Sequence, residues 1–288
     1  MNTSSHSREI RSKIAKETLD ILEQGFYTSP SGTKVAIRDE VETAVVKSVL
    51  YAPDQLPNIL KEASALIDRK GENAPRIEVT NESTLGAAQR LVAQEGITET
   101  VCLNFASAKN PGGGFLGGSQ AQEESLARSS ALYPCISQMT QMYDHNRSLK
   151  TCLYSDYMVY SPKVPVFRED RGNLLPKPYL VSMLTAPAVN AGVVREREPE
   201  NTAKIDTVML ERIRFILAVA AAHGQRAIIL GAFGCGVFRN DPKDVARLFK
   251  QALIDEGRAV WFDKIVFAIL DNSADKRTLN KFKTALKL

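Results

Sequence analysis

Apolar residues at Ile10, Ile14, Ile21 and Leu22 recur at helical spacing and predict a helix from Ser7 to Phe26. SPSG at 29–32 reads as a turn between two short extended pieces, and a second helix is expected over Glu40 to Leu50. PDQLPNILKEASALIDRKGENAP then carries another helix up to RIEVT at 76–80, whose pattern is that of a buried strand. A boundary is placed near 72. Beyond it, strands and helices alternate: TLGAAQRLVAQ as a helix, VCLNF at 101–105 as a strand, a helical pair over about 120–144, and YLVSMLTA at 179–186 as a strand. A long helix near 203–222, the strand AIILGAF at 227–233, a helix near 242–255, the strand KIVFAIL at 264–270 and a terminal helix complete the order. Apolar strands without polar alternation, separated by amphipathic helices, predict an α/β fold with a largely parallel sheet covered on both faces. SPKVPVFREDRGNLLPKP at 161–178 is expected to form a short hairpin or an excursion over the surface.

Composition narrows the chemistry. With 288 residues, 44% hydrophobic and 24% charged, the chain can build one sizeable core or a core with a small appendage. The net charge of +4 is too mild for a sequence-specific nucleic-acid binder but suits an anionic substrate. The N-terminal residues lack the apolar core of a signal peptide and no apolar run is long enough to span a bilayer, so a cytoplasmic protein without membrane partners is expected. Cys102, Cys135, Cys152 and Cys235 are scattered without CxxC spacing, which points to neither disulfides nor zinc, and no other cluster has metal-ligand spacing. His223, in AAAHGQ, suits a helix C-terminus better than a ligand role.

Two loops remain as candidate chemistry. NPGGGFLGGSQAQEES at 110–125 follows VCLNF, and GAFGCGVFRN at 231–240 follows AIIL. Two glycine-rich loops after two apolar strands, each leading into a helix, together suggest a phosphate cradle. The first lacks the GK[ST] of a P-loop, and its literal GxGxxG stands too far from its strand, with no acidic residue at the right distance, for a dinucleotide fingerprint. Ser119 and Gln122 have the spacing of a capping box that would start a helix at Gln120. Glu123 and Glu124 would then lie in its first turn and a half, where the helix dipole favours their ionised forms. On residues alone, a capped helix with solvated glutamates stays open beside a ligand site.

Gly112-Gly113-Gly114, seven residues, then Gln122-Glu123-Glu124 resembles the signature of poly(ADP-ribose) glycohydrolases. LNFASAKNPGGGFLGGSQAQEESLARSSALY is similar in particular to their bacterial-type branch, with further support from VTNEST at 79–84, LTAPAVN at 184–190 and GAFGCGVFRN. The resemblance implies a macrodomain-like catalytic domain over 73–288, preceded by an accessory helical region at 1–72. It implies Glu124 as catalytic acid and Glu123 as the residue holding the ribose beside the scissile bond. Asn104 would open the ribose loop, where Ser107 replaces a second asparagine, and Gln122 and Gly112 to Gly114 would also contact ligand. The diphosphate would lie between the glycine run and Gly234-Cys235-Gly236-Val237, with Phe238 as a stacking surface and Glu82 as an adenine partner. The implied reaction is hydrolysis of the ribose–ribose O-glycosidic bond of poly(ADP-ribose), free or on modified proteins, by a monomer needing no cofactor or metal. A non-catalytic ADP-ribose reader is the main alternative and a nicotinamide oxidoreductase the second.

Overall fold

The computed structural model describes residues 3–65 and 74–287, so the boundary expected near 72 lies outside the described residues. The chain opens with helix α1 (Thr3–Gln24), the hairpin β1 (Phe26–Thr28) and β2 (Lys34–Ala36), and α2 (Arg38–Val46). The helix expected to reach Leu50 stops four residues earlier, because Val49–Tyr51 forms β3, which pairs with a later strand. After α3 (Leu56–Ala65) come β4 (Arg76–Thr80), α4 (Thr84–Gln89) continued by a π turn at Arg90–Gln94, and β5 (Thr100–Ala106). The expected helical pair is three short helices, α5 (Gln122–Ser129), α6 (Leu132–Ser137) and α7 (Thr140–Ser148). The first break falls at Ser130, which adopts an extended conformation and bridges to Val166.

β6 (Met158–Arg168) and β7 (Leu174–Pro187) follow, then α8 (Ala191–Arg197), α9 (Ile205–Ala222), β8 (Ala227–Leu230), α10 (Pro242–Lys250), β9 (Lys264–Ala268) and α11 (Arg277–Leu286). The proline- and charge-rich stretch at 161–178 is thus a hairpin within the main sheet, and most of β6 is buried. A register shift between Ser161 and Val164 accommodates Pro162.

The sheet runs β3-β6-β7-β5-β8-β9-β4. Its strands from β7 to β4 are parallel, and β6 and β3 add an antiparallel edge. RIEVT, expected to be buried, is the opposite edge strand and only half-buried, since β9 covers one side of it alone. Successive residues of a strand face opposite sides, and β5 shows the consequence. Val101 and Leu103 enter the core beneath α9, α10 and α11, while Cys102 and Ala106 enter the core beneath α4 and α6. Asn104 shares the parity of Cys102 and Ala106, so its side chain emerges on the α5 side of the sheet. His223 caps the C-terminus of α9 and stacks on Tyr160 at 3.5 Å between ring centres.

Candidate active site

The segment after β5 is built backwards from its glycines. Gly112, Gly113 and Gly118 have φ of 71°, 59° and 74°, values that side chains disfavour, so the chain doubles back twice before α5. A Cβ on Gly112 would strike Phe115, on Gly113 the Glu124 carboxylate, and on Gly114 the Ser119 hydroxyl. The N-terminus of α5 therefore lies directly against the glycine run. α5 starts at Gln122 rather than Gln120, and Ala121 is an N-cap without a side-chain bond, so the expected capping box does not form. The reason is that Gln122 is committed elsewhere. Its amide donates to Leu103 O at 2.7 Å and Thr84 Oγ1 at 3.1 Å and accepts from the Phe105 N–H at 2.8 Å. These bonds tie the helix start to β5.

With about 100° between successive helical residues, the neighbours of Gln122 point in different directions. Glu123 turns inward and is 2% exposed. Its Oε2 accepts from the Ser107 N–H at 2.7 Å, and its Oε1 from the Asn104 side chain at 3.2 Å. Asn104, wholly buried, also donates to Thr185 Oγ1 at 3.1 Å, while its Oδ1 has no partner. Burial pushes the Glu123 carboxyl up to about 8, against the Ser107 and Asn104 hydrogen bonds that favour its charge, and the neighbouring Glu124 adds to the rise. The Tyr143 hydroxyl, also buried without a partner, is held well above its ordinary value by burial and then by Glu123. Glu124 stays partly exposed and accepts from the Gly114 N–H at 3.1 Å. Two amides of the first glycine-rich segment and its approach, those of Ser107 and Gly114, thus point at the glutamates.

The second glycine loop divides differently. Gly234, at φ 72°, has no room for a Cβ between Ala188 and Asn240, so it shapes the turn, whereas a Cβ on Gly236 would meet nothing within 4 Å. Cys235 is half-buried, with its thiol pushed up to about 12 by burial. Val237 is 80% exposed, and the half-buried Phe238 ring lies 5.9 Å from that of Tyr154. Between this loop and the start of α5 opens a cleft of about 830 Å³, whose walls include Glu82, Gln122, Cys235 and Gly236. Glu82 is held by Arg90 at 2.6 Å. Glu123 and Glu124 are not among the cleft's lining residues but follow directly on Gln122, at its end. Among the described residues no group of three or more His, Cys, Asp or Glu side chains could hold a metal, and no helix is long and apolar enough to cross a membrane.

Several positioning contacts had no sequence signal. Ser12 Oγ donates to Leu116 O at 2.7 Å, Arg8 Nε to Gly117 O and Arg11 Nε to Gly118 O at 2.8 Å each, and Arg128 to Ser119 O at 2.6 Å. Four successive carbonyls of the loop are therefore capped, three of them from α1, more than a hundred residues away in sequence.

Compared with known proteins, residues 15–169 match the family model described as the microbial-type PARG catalytic domain, over more than half the chain. No curated protein matches. Among solved structures, the chain is similar to the poly(ADP-ribose) glycohydrolase of Thermomonospora curvata bound to the inhibitor ADP-HPD. The two are 44% identical over 96% of this chain and 99% of that one, with a TM-score of 0.87. It is also similar to the Deinococcus radiodurans enzyme in complex with ADP-ribose, at 45% identity over 86% of this chain and 97% of that one, with a TM-score of 0.79. The sheet with its helical layers, the glycine run against α5 and these matches together show that the chain belongs to the microbial-type PARG catalytic domain family.

Proposed function

We propose that the chain hydrolyses the ribose–ribose O-glycosidic bonds of poly(ADP-ribose) and releases ADP-ribose, with Glu124 as the acid and base. The observation that carries the assignment of the acid is the divergence of the two glutamates. Glu123 is closed in with both oxygens bonded, while Glu124 is accessible and touches the backbone of the glycine run. Catalytic assignment follows geometry before pKa, because a proton donor must first reach the leaving oxygen. Glu124 would protonate the departing 2′-oxygen as the C1″–O bond breaks through an oxocarbenium-like transition state. As a carboxylate it would then take a proton from the attacking water. Adjacent residues at one helix start cannot flank a bond from opposite sides, so Glu123 serves to anchor the ribose, and Asn104 acts on the substrate through Glu123.

The diphosphate would lie between the glycine run and Gly234 to Val237, where Gly236 leaves open space for it. Phe238 and Glu82 are placed as the stacking surface and the adenine partner; for Glu82 this requires sharing its carboxylate with Arg90. Gln122 supports the site as a brace, both amide hydrogens being used within the protein. A cytoplasmic location is supported by four free cysteines. The test is to incubate the full chain with poly(ADP-ribose) in EDTA and follow free ADP-ribose by chromatography. Release is expected; binding of ADP-ribose without release would make the chain a reader.

A further inference from the structure

Behind the start of α5, on the side facing α1, lies a smaller pocket of about 220 Å³. It adjoins the main cleft, because Gln120, Ser125, Asp170 and Arg171 form the wall between them and line both. Arg11, Arg128 and Arg171 line this pocket against a single carboxylate, that of Asp170, which already accepts from the Ser83 hydroxyl at 2.5 Å. Arg128 is 6% exposed and, among the described residues, bonds only to uncharged oxygens, those of Ser119 and the Gln120 side chain. Arg11 spends its Nε on Gly118 O, and Arg171, at the tip of the β6–β7 hairpin, is exposed. Among the described residues none of the three arginines has a carboxylate partner at ion-pair distance. Burial, and then the charge of Arg11, lowers the Arg128 guanidinium to about 10, although the nearby Glu124 carboxylate pulls the other way. A buried guanidinium beside a second cation is costly unless an anion completes it.

We propose that this pocket is a second anion-binding subsite, which takes a phosphate group of the ADP-ribose unit next to the one held in the main cleft. Guanidinium groups recognise phosphate oxygens through paired N–H donors, and the shared wall lets one polymer occupy both spaces. The Ser125 and Ser129 hydroxyls line the same pocket and offer further donors. The proposal rests on poly(ADP-ribose) being the substrate. The chemistry recognised is that of a phosphate ester or diphosphate, which a free phosphate compound shares.

Arg171→Ala is the clean variant, since Arg171 is exposed and makes no hydrogen bond or ion pair among the described residues that its loss would break. Three readouts on the full chain separate the outcomes: kcat/KM on long polymer and on the two-unit fragment, ADP-ribose affinity by calorimetry, and inorganic pyrophosphate titrated into protein saturated with ADP-ribose. We expect kcat/KM on long polymer and on the two-unit fragment, both of which carry the adjoining unit, to fall about five-fold at low salt and its logarithmic salt dependence to become shallower by roughly one. ADP-ribose affinity should fall by less than kcat/KM does, Arg171→Lys should recover most of the loss, and pyrophosphate binding to the parent should weaken in Arg171→Ala. A loss of ADP-ribose affinity equal to the loss of kcat/KM would assign Arg171 to the main cleft alone and overturn the proposal. Pyrophosphate binding that weakens in Arg171→Ala with kcat/KM on polymer unchanged would assign the pocket to free phosphate compounds and overturn it as well. Failure of the parent to cut any polymer would instead remove the proposed function, while the pyrophosphate titration would still report on the pocket.

Discussion

The Asn104 amide nitrogen lies 3.2 Å from Glu123 Oε1, with both side chains buried. A buried carboxylate of this kind has a definite cost in its charged form. With the folded carboxyl raised to about 8 and an ordinary glutamate near ~4.3 when unfolded, the folded protein binds the extra proton between those values. Its contribution to stability is complete below the unfolded value and declines as pH rises toward 8. The neutral acid would also be matched by a turned Asn104 amide, whose Oδ1 could then accept its proton.

Glu123→Gln should therefore flatten the fall in stability between about pH 5 and pH 8, measured by urea denaturation across that range. The substituted amide brings its own N–H group to face Ser107 or Asn104 as donor against donor, at a cost of about 1–3 kcal/mol. An unchanged pH slope in the variant would show that Glu123 does not hold the extra proton.

The two glycine loops, alike in sequence, should respond differently to crowding. Gly113→Ala puts a Cβ at φ 59° into the Glu124 carboxylate, so it should destabilise the fold by about 1–3 kcal/mol and depress turnover together. Gly236→Val places its Cβ where no protein atom lies within 4 Å, and should leave stability within about 0.5 kcal/mol while weakening ADP-ribose binding ten-fold or more. Thermal melts beside calorimetric titration check both, and unaltered affinity in a folded Gly236→Val would move the diphosphate elsewhere.

The contrast shows what the sequence could carry. Apolar runs gave β5, β8 and β9, because a strand buried on both faces needs no partner to be visible. Val49–Tyr51 looked like the end of a helix because its strand character depends on pairing with Met158–Tyr160, far along the chain. The glycines and QEE marked the site, since positive φ and paired carboxylates are local features. That Gln122 would bond to β5 instead of closing a cap was not legible, nor were the α1 side chains on the loop carbonyls, because those partners are set by packing. Nor did anything local announce that identical adjacent glutamates would differ so sharply in burial.

Arg212 is wholly buried in α9, bonded to Asp156 at 2.8 Å and to the carbonyls of Leu153, Tyr154 and Pro187. It fixes the segment that carries Tyr154, the neighbour of Phe238. Arg212→Leu removes four acceptors' partner at once and should cost about 3–5 kcal/mol, measured by urea denaturation. A loss below about 1 kcal/mol would mean that the segment is held by its other contacts.

The decisive substitution is Glu124→Gln. It preserves size and an acceptor for the Gly114 N–H, so the loop and α5 should keep their arrangement and the melting temperature should hardly move. What it removes is the transferable proton, and general acid–base catalysis of this kind is worth about 10²-fold or more. Turnover of poly(ADP-ribose) should fall by at least that factor while ADP-ribose affinity stays near that of the parent. Glu123→Gln should differ in kind, raising the apparent KM through a misplaced ribose as well as lowering kcat. Steady-state kinetics on both variants, with calorimetry for binding, separates the roles. Near-normal turnover in Glu124→Gln would leave Glu123, with its raised carboxyl, as the acid, and would require the buried pocket around Asn104 and Ser107 to open toward substrate.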